Sequence, residues 1–411
     1  MLMSQRYIEN YFKRFATDQP LLKEAIDPTC KMIVVIPCCN EPDLISTLNS
    51  LKACEQLEYS VEVIVVLNHS ENAMFDVKKA NEQTLLEFGK WNSLNELTHL
   101  KFHVIEVFNL PKKTAGVGLA RKIGMDEALR RFASINYNGT IVCLDADCLV
   151  SNNYLTAIDQ QIVKSNAGVG EMNFSHQFEN EKNNNLKEGI VNYELFLRYY
   201  VAGLRQSLFP NAIHTIGSCM LVKANVYAKH GGMNKKKAGE DFYFLHKIVP
   251  HEKFVMVDKG TVFPSCRTSD RVPFGTGKAQ QDWLNKDDKT YSTYNPKVFE
   301  DLKVLFQCLE KIYDPTFDNW AFELPASITT FLEAHNYFEK LNLIRANCTS
   351  QQQFKKQFYV WFDGFLCLKF IHYARDNFYP NIPLVKAAGT IINSESADPT
   401  DLLQVYRDLK F

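Results

Sequence analysis

The sequence predicts an α/β fold in which a mostly parallel sheet carries helices on both faces. Apolar runs rich in β-branched residues occur at 32–36, 61–67, 102–107 and 140–144, and strands buried on both faces have this uniformly apolar character. Segments of helical period separate the runs, which is the alternation that a parallel sheet with crossover helices requires. The length of 411 residues allows a large α/β domain with an appendage, or two domains.

The helices of the first half are predicted from the spacing of apolar residues. They are expected at 6–25, at 42–51, at 73–97 with a break near Gly89, and at 120–132. Beyond residue 172 the pattern changes, and it predicts a helix over 186–204, a strand over 213–222 and a helix that begins at Gly239.

From residue 296 the chain looks mostly helical and aromatic. We therefore expect three parts, which are an N-terminal helical extension over 1–30, an α/β domain over 31–290 and a mostly helical C-terminal region over 291–411.

The charge and cysteine content of the sequence argue against some classes of protein. With 46 basic and 47 acidic residues the formal net charge is −1, so we expect no nucleic-acid partner. The eleven cysteines include no CxxC pair, which indicates reduced thiols rather than a zinc site. The polar N-terminus and the absence of a long apolar window predict a cytoplasmic protein. Peripheral contact with the inner membrane face stays open.

Two acidic pairs are the main candidates for chemistry. Asp145 and Asp147 follow the strand at 140–144, and carboxylates suit magnesium or manganese bridged to a diphosphate. Glu240 and Asp241 open a helix, where a carboxylate can act as a general base. Each pair also has a purely structural explanation. The first pair would form a turn or a helix cap, and the second pair would be stabilised by the positive N-terminus of its helix.

Glycine-bearing loops supply weaker signals. The segment 116–121 is not a dinucleotide fingerprint, because Arg121 stands where glycine is needed, and 275–278 is not a P-loop, because Val272 stands where glycine is needed. The stretch 267–278 is either a flexible loop or a mobile lid, with Arg267, Arg271 and Lys278 as phosphate contacts. The isolated histidines are interpreted as structural.

Four blocks, taken in order, resemble family 2 glycosyltransferases with the GT-A fold over about residues 31–271. The blocks are 32–51 with Ile36-Pro37 and Asn40-Glu41, the GVGLARKIG segment at 116–124, the LDAD segment at 144–147, and 217–241 with its double glycine and GED. Lys122 stands where that family often has asparagine. The resemblance implies a GT-A domain, a nucleotide-diphosphate sugar donor, a divalent metal and inversion at the anomeric carbon.

The resemblance also implies residue roles. Asp145 would contact the donor ribose or sugar, Asp147 with Asp145 would bind manganese or magnesium, and Asp241 beside Glu240 would deprotonate the acceptor. The nucleotide would be bordered by further residues, which are Pro37, Asn40, Glu41, Asn68 and Arg121. Asn68 departs from the family, which often has an aspartate there to read uracil, so the base stays open.

The leading hypothesis is thus an inverting, metal-dependent enzyme of surface polysaccharide or glycoconjugate synthesis. Its acceptor would be a glycan, a lipid-linked molecule or a small molecule. The alternatives are a retaining transferase that makes a small glycoside, a nucleotidyltransferase that releases pyrophosphate, and a sugar-binding scaffold without activity. The presence of both Asp147 and Asp241 argues against the scaffold.

Overall fold

The computed structural model describes residues 4–16, 19–179, 181–269, 275–314 and 320–409. Contacts divide the chain into two units. The first consists of residues 1–180 and 215–278, and the second of residues 181–214 and 279–411. The sequence-based boundaries at residues 30 and 290 stay a prediction.

The elements are numbered in chain order. The strands are β1 (Met32–Cys38), β2 (Val61–Ser70), β3 (Leu100–Leu110), β4 (Thr140–Cys143), β5 (Leu149–Val150), β6 (Val169–Phe174), β7 (Met220–Lys223), β8 (Phe254–Phe263), β9 (Ser292–Thr293) and β10 (Ile382–Pro383). The helices are α1 (Gln5–Phe15), α2 (Leu44–Lys52), α3 (Phe75–Leu94), α4 (Val117–Ser134), α5 (Tyr154–Ile158), α6 (Asn184–Gln206), α7 (Ala224–Lys229), α8 (Glu240–Ile248), α9 (Thr276–Leu284), α10 (Lys297–Gln307), α11 (Leu309–Tyr313), α12 (Ala326–Ala334), α13 (Tyr337–Ala346), α14 (Gln351–Trp361), α15 (Gly364–Asn377), α16 (Leu384–Ile392) and α17 (Pro399–Asp408).

The first unit is built on a mixed sheet with the strand order β3-β2-β1-β4-β7-β6-β8-β5. The pairs β1–β2, β1–β4, β2–β3 and β6–β8 are parallel, whereas β4–β7, β6–β7 and β5–β8 are antiparallel. All of β1 is buried, as expected for a central strand between helical layers. The predicted α/β class with a mixed, mostly parallel sheet is confirmed.

The N-terminal segment is fixed to the first unit by side chains of α4. The hydroxyls of Tyr11 on α1 and Tyr227 on α7 each donate to Oδ1 of the buried Asp126, at 2.6 Å. The carboxylate of Glu127 accepts from the backbone N–H groups of Leu21 and Leu22, at 3.1 and 3.2 Å. α1 ends at Phe15 and residues 19–25 are not helical, so the predicted helix over 6–25 is wrong there, whereas residues 17 and 18 lie outside the described residues. The bonds to Glu127 hold the backbone at Leu21 and Leu22.

Other departures from the predicted elements have local causes. α3 runs through Gly89 without a break. The strand predicted over 213–222 is only β7, because residues 217–219 form a 3₁₀ turn whose Gly217 carbonyl accepts from Arg121 instead of a neighbouring strand. The sequence analysis missed β6 and β8, and the latter carries exposed Asp258 and Lys259.

The second unit is helical, apart from the short antiparallel pair β9–β10. Its aromatic side chains pack together, and Phe306 lies edge-on to both Phe358 and Phe362. The buried Glu194 of α6 accepts from Arg198 of the same helix and from Arg407 of α17, both at 2.8 Å. The helical C-terminal region expected from the sequence is thus present. Throughout the described residues, no helix has the length and apolar composition needed to cross a bilayer.

Two helical glycines provide a matched test of this packing. A Cβ on Gly124 of α4 would lie 2.4 Å from Val35 and 2.9 Å from Val66, whereas a Cβ on Gly89 would meet nothing within 4 Å. We expect Gly124→Ala to lower the free energy of unfolding by about 1–3 kcal/mol through overpacking. Gly89→Ala should raise it by about 0.5–1 kcal/mol, because alanine favours the helix. Urea titration of both variants checks these signs, and a stabilised Gly124→Ala would contradict the close packing of α4 on the sheet.

Candidate active site

The predicted site residues follow neighbouring strands. Because β2, β1 and β4 are adjacent and parallel, their carboxyl ends lie at one edge of the sheet, where ligands bind in such folds. Asn68 lies at the end of β2, Asn40 and Glu41 follow β1, and Asp145 and Asp147 follow β4. Pro37 is buried within β1, so that strand is longer than the run predicted from the sequence.

Arg121 on α4 joins three segments that are distant in sequence. Its Nε donates to Glu240 at 3.2 Å, one Nη donates to the Gly217 carbonyl at 3.0 Å, and the other donates to Asp145 at 2.9 Å. Arg121 is only 1% exposed. Burial works to lower the pKa of this guanidinium, but Asp145 and Glu240 raise it well above its ordinary value. The bonds of Arg121 thus connect the end of β4, the turn before β7 and the start of α8.

The two neighbouring acids of α8 lie in different surroundings. Glu240 is buried and paired with Arg121. Asp241 is partly exposed, its Oδ1 accepts from the Phe242 N–H at 2.7 Å, and its Oδ2 lies 3.3 Å from where a Cβ on Gly217 would be. Burial and the nearby charge of Glu240 raise the pKa of Asp241 to about 7. A carboxyl group that titrates near neutrality is suited to accept a proton.

Arg267, which follows β8, lies among three other carboxylates. Its guanidinium contacts the buried Glu41, lies 3.2 Å from Asp43 and lies 3.4 Å from Asp147. Burial acts to lower the pKa of Arg267, but Glu41 and Asp147 raise it overall. The side chains of Arg267 and Asp147 are 30% and 25% exposed, so this group of charges is reachable from solvent. Of the other two basic residues of the predicted lid, Lys278 lies on α9, and Arg271 lies outside the described residues.

Asn81 on α3 connects the ends of β1 and β2. Its Oδ1 accepts from the Asn40 N–H at 2.8 Å, and its Nδ2 donates to the Asn68 carbonyl at 2.8 Å. Asn40 has a positive φ of 50°, a conformation that asparagine tolerates. The Asn68 side chain is turned into the protein, where Nδ2 donates to the carbonyls of Cys38 and Val66. Base recognition by Asn68 stays a prediction.

Sequence reasoning missed several residues that shape this edge. Thr47 of α2 donates to the carbonyl of Ala146, between the two aspartates, at 2.9 Å. Asn81 and Thr47 are fully buried polar side chains. In the sequence, each of them is a polar residue on the apolar side of a predicted helix, and that position could have indicated its role. Asp43 gave no signal, because its role arises only from a contact distant in sequence. Gly217 opens the fourth block, but its contact with Arg121 was not predicted.

The carboxylates of the site could bind a cation, but the described side chains alone do not form a complete coordination shell around one. Throughout the described residues, no group of three or more His, Cys, Asp or Glu side chains is arranged to hold a metal. The guanidinium of Arg267 nevertheless shows that Asp147 and its neighbours accept a positive charge. Asp145 is already paired with Arg121. Asp147 contacts Arg267 and is partly exposed, so it could bind a cation whose remaining ligands come from a bound molecule.

The mixed, mostly parallel sheet with helices is the architecture expected of a GT-A domain. The model of glycosyl transferase family 2 matches residues 33–231, so the chain carries a glycosyltransferase domain of this family. This match confirms the family that the four sequence blocks resembled. No curated protein matches the sequence.

Solved glycosyltransferases are similar to this chain at low identity. S. aureus TarS 1-349 in complex with UDP-GlcNAc is 12% identical, with 72% of this chain and 76% of that chain covered and a TM-score of 0.39. The mannosyltransferase PcManGT from Pyrobaculum calidifontis, in complex with GDP-Man and Mn²⁺, is 13% identical, with 87% and 93% covered and a TM-score of 0.35.

The raised pKa of Asp241 predicts a pH-dependent penalty on stability. Because the pKa rises on folding from 3.8 to about 7, the folded chain binds this proton more tightly than the unfolded chain. Stability should therefore fall as pH rises between these two values. Asp241→Asn removes this pH-dependent loss of stability. The melting temperature of the variant, relative to that of the wild type, should therefore be higher at pH 8 than at pH 5. Differential scanning calorimetry at both pH values measures the change.

Asp258→Asn on β8 is the control, because this carboxylate is exposed. A melting-temperature difference between Asp241→Asn and the wild type that is the same at both pH values would contradict the raised pKa.

Proposed function

We propose that this glycosyltransferase is metal-dependent, takes a sugar from a nucleotide-diphosphate donor and transfers it to an acceptor hydroxyl with inversion. The observation that carries the proposal is the arrangement around Arg121. It ties the end of β4, with Asp145, to the start of α8, with Glu240 and Asp241. One buried side chain thereby holds Asp145, the proposed donor-side acid, and Glu240, the neighbour of the proposed base, although about a hundred residues separate them in sequence.

Asp241 is the proposed general base. A hydroxyl is a poor nucleophile at neutral pH, so its attack on the anomeric carbon benefits from proton removal in the transition state. Asp241 is partly exposed and its pKa is about 7, which supports proton transfer near neutrality. Glu240 is buried against Arg121. We assign it the role of holding that arginine, and thereby Asp241, in place.

Asp147, with Asp145, is the proposed ligand of manganese or magnesium. When bound, the ion would neutralise the diphosphate leaving group. The partial exposure of Asp147 supports this role. We also propose that the nucleotide lies along the edge formed by Pro37, Asn40, Glu41 and Asn68. Arg121 would border it through Asp145.

The eleven cysteines support a reducing, cytoplasmic location. We propose a role in surface polysaccharide or glycoconjugate synthesis, with peripheral contact at the inner membrane face.

Asp147→Asn tests the metal assignment. The amide keeps the shape of the side chain but removes the charge, so manganese-dependent donor binding should weaken by at least about 10-fold while the fold is kept. Isothermal titration with UDP-GlcNAc and GDP-mannose, with and without Mn²⁺, measures the change. Asp43→Asn is the matched control, since Asp43 also contacts Arg267 but lies outside the proposed metal shell. Unchanged Mn²⁺-dependent affinity in Asp147→Asn would refute the assignment.

Asp241→Asn tests the base. Loss of a general base predicts a fall of about 10²–10⁴ in turnover, with donor binding retained. A merely structural Asp241 predicts instead a loss of about 0.5–2 kcal/mol in stability and normal turnover per folded molecule. Rapid-quench turnover and thermal melting of one preparation separate these results. Inversion requires that the product anomer be opposite to the donor anomer, which NMR of the product determines, and a retained anomer would favour the retaining alternative.

A further inference from the structure

Two exposed loops beside the candidate active site carry five lysines, which we call the lysine surface. The loop before α4 supplies Lys112 and Lys113, and the loop before α8 supplies Lys235, Lys236 and Lys237. All five residues are exposed. Since the whole chain has a formal net charge of −1, this surface is a local concentration of positive charge.

The backbones of the two loops are in close contact. A Cβ on Gly116 would lie 2.8 Å from the Cα of Lys237, and a Cβ on Gly118 would lie 2.1 Å from the carbonyl oxygen of Lys236. Only glycine permits such an approach of two backbones. The lysines of both loops therefore belong to one continuous surface.

The lysine surface borders the proposed base. Lys237 precedes Asp241 by four residues, so the chain between them spans at most roughly 14 Å even when fully extended. The position of a Cβ on Gly118 is also 2.9 Å from the Cβ of Glu240. The lysine surface and Asp241 are therefore close enough for one extended molecule to contact both.

An acid lies beside this surface, since the carboxylate of Glu71 accepts from the Lys112 backbone N–H at 2.9 Å. Throughout the described residues, none of the five lysines forms an ion pair. The ammonium of Lys236 lies 4.0 Å from the ring centroid of Tyr243, which is itself 41% exposed. A cation held on an exposed aromatic ring keeps its capacity to bind an anion. An anionic ligand would relieve the repulsion among the five like charges.

We propose that the lysine surface binds an anionic acceptor, a soluble chain with repeated phosphate or carboxylate groups, and presents its hydroxyl to Asp241. This inference rests on the proposed function, since it names the acceptor class of the same site. Repeated negative charges match five lysines on two loops, whereas a neutral sugar would gain nothing from them.

The test compares two triple variants with the same change in charge. The first is Lys235→Gln, Lys236→Gln and Lys237→Gln. The control is Lys52→Gln, Lys90→Gln and Lys259→Gln, which removes exposed lysines outside the lysine surface. The probes are linear polyphosphate, polygalacturonate, neutral dextran and phosphatidylglycerol vesicles, each titrated without metal at several salt concentrations. Thermal melting confirms that every variant is folded.

We expect the wild type and the control to bind at least one soluble polyanion, and the first variant to bind it at least 10-fold more weakly. The slope of log Kd against log salt should fall by about 2, because three contacting charges are lost. Binding of polyphosphate alone or polygalacturonate alone also supports the proposal and identifies the charged group. Equal binding by both variants, binding of dextran to the same degree, or binding to vesicles only would overturn it.

A separate measurement keeps the two proposals apart. Mn²⁺-dependent binding of UDP-GlcNAc or GDP-mannose should be the same in both triple variants and the wild type. If no nucleotide sugar binds while polyanion binding depends on the lysine surface, the proposed donor chemistry fails and the anion site stands. If donor binding is intact while polyanion binding is equal in both variants, only the acceptor inference fails.

Discussion

The guanidinium of Arg121 is the charge on which the geometry of this site depends. A buried cation is costly unless its donors are paired, and Arg121 pairs them with Asp145, Glu240 and the carbonyl of Gly217. Each partner belongs to a different segment, so none can move without leaving part of the cation unpaired. The same bonds explain why the chain turns at Gly217 rather than continuing as a strand.

The pairing also separates the roles of two adjacent acids. Glu240 is buried and neutralises the charge of Arg121. Asp241 lies beside this ion pair. Burial and the charge of Glu240 disfavour the charged form of Asp241, and they raise its pKa to about 7. Two carboxylates next to each other in sequence thus acquire a structural and a proton-accepting character from their surroundings alone.

Sequence reasoning succeeded where local pattern determines the outcome. The apolar runs of β1, β2 and β4 predicted the sheet, and the polar residues that follow them predicted the edge that bears the site. It failed where the local structure depends on contacts between residues that are distant in sequence. The helix predicted beyond Phe15 is replaced by backbone bound to Glu127, and nothing local indicates that Arg267 lies beside Glu41. Local sequence patterns predict the helices and strands, but the contacts between distant side chains are found only in the three-dimensional structure.

The two arginines of the site differ in exposure, and this difference has a functional meaning. Arg121 is enclosed, so its ion pairs are permanent parts of the fold. Arg267 is 30% exposed and faces Glu41, Asp43 and Asp147, so one guanidinium opposes three carboxylates. Bringing acids together has an electrostatic cost, and a bound cation lowers it. A partly exposed arginine can move aside for it at small cost, because solvated ion pairs contribute little stability. The proposed metal therefore needs no rearrangement of the buried sheet, only an exchange of cations at its edge.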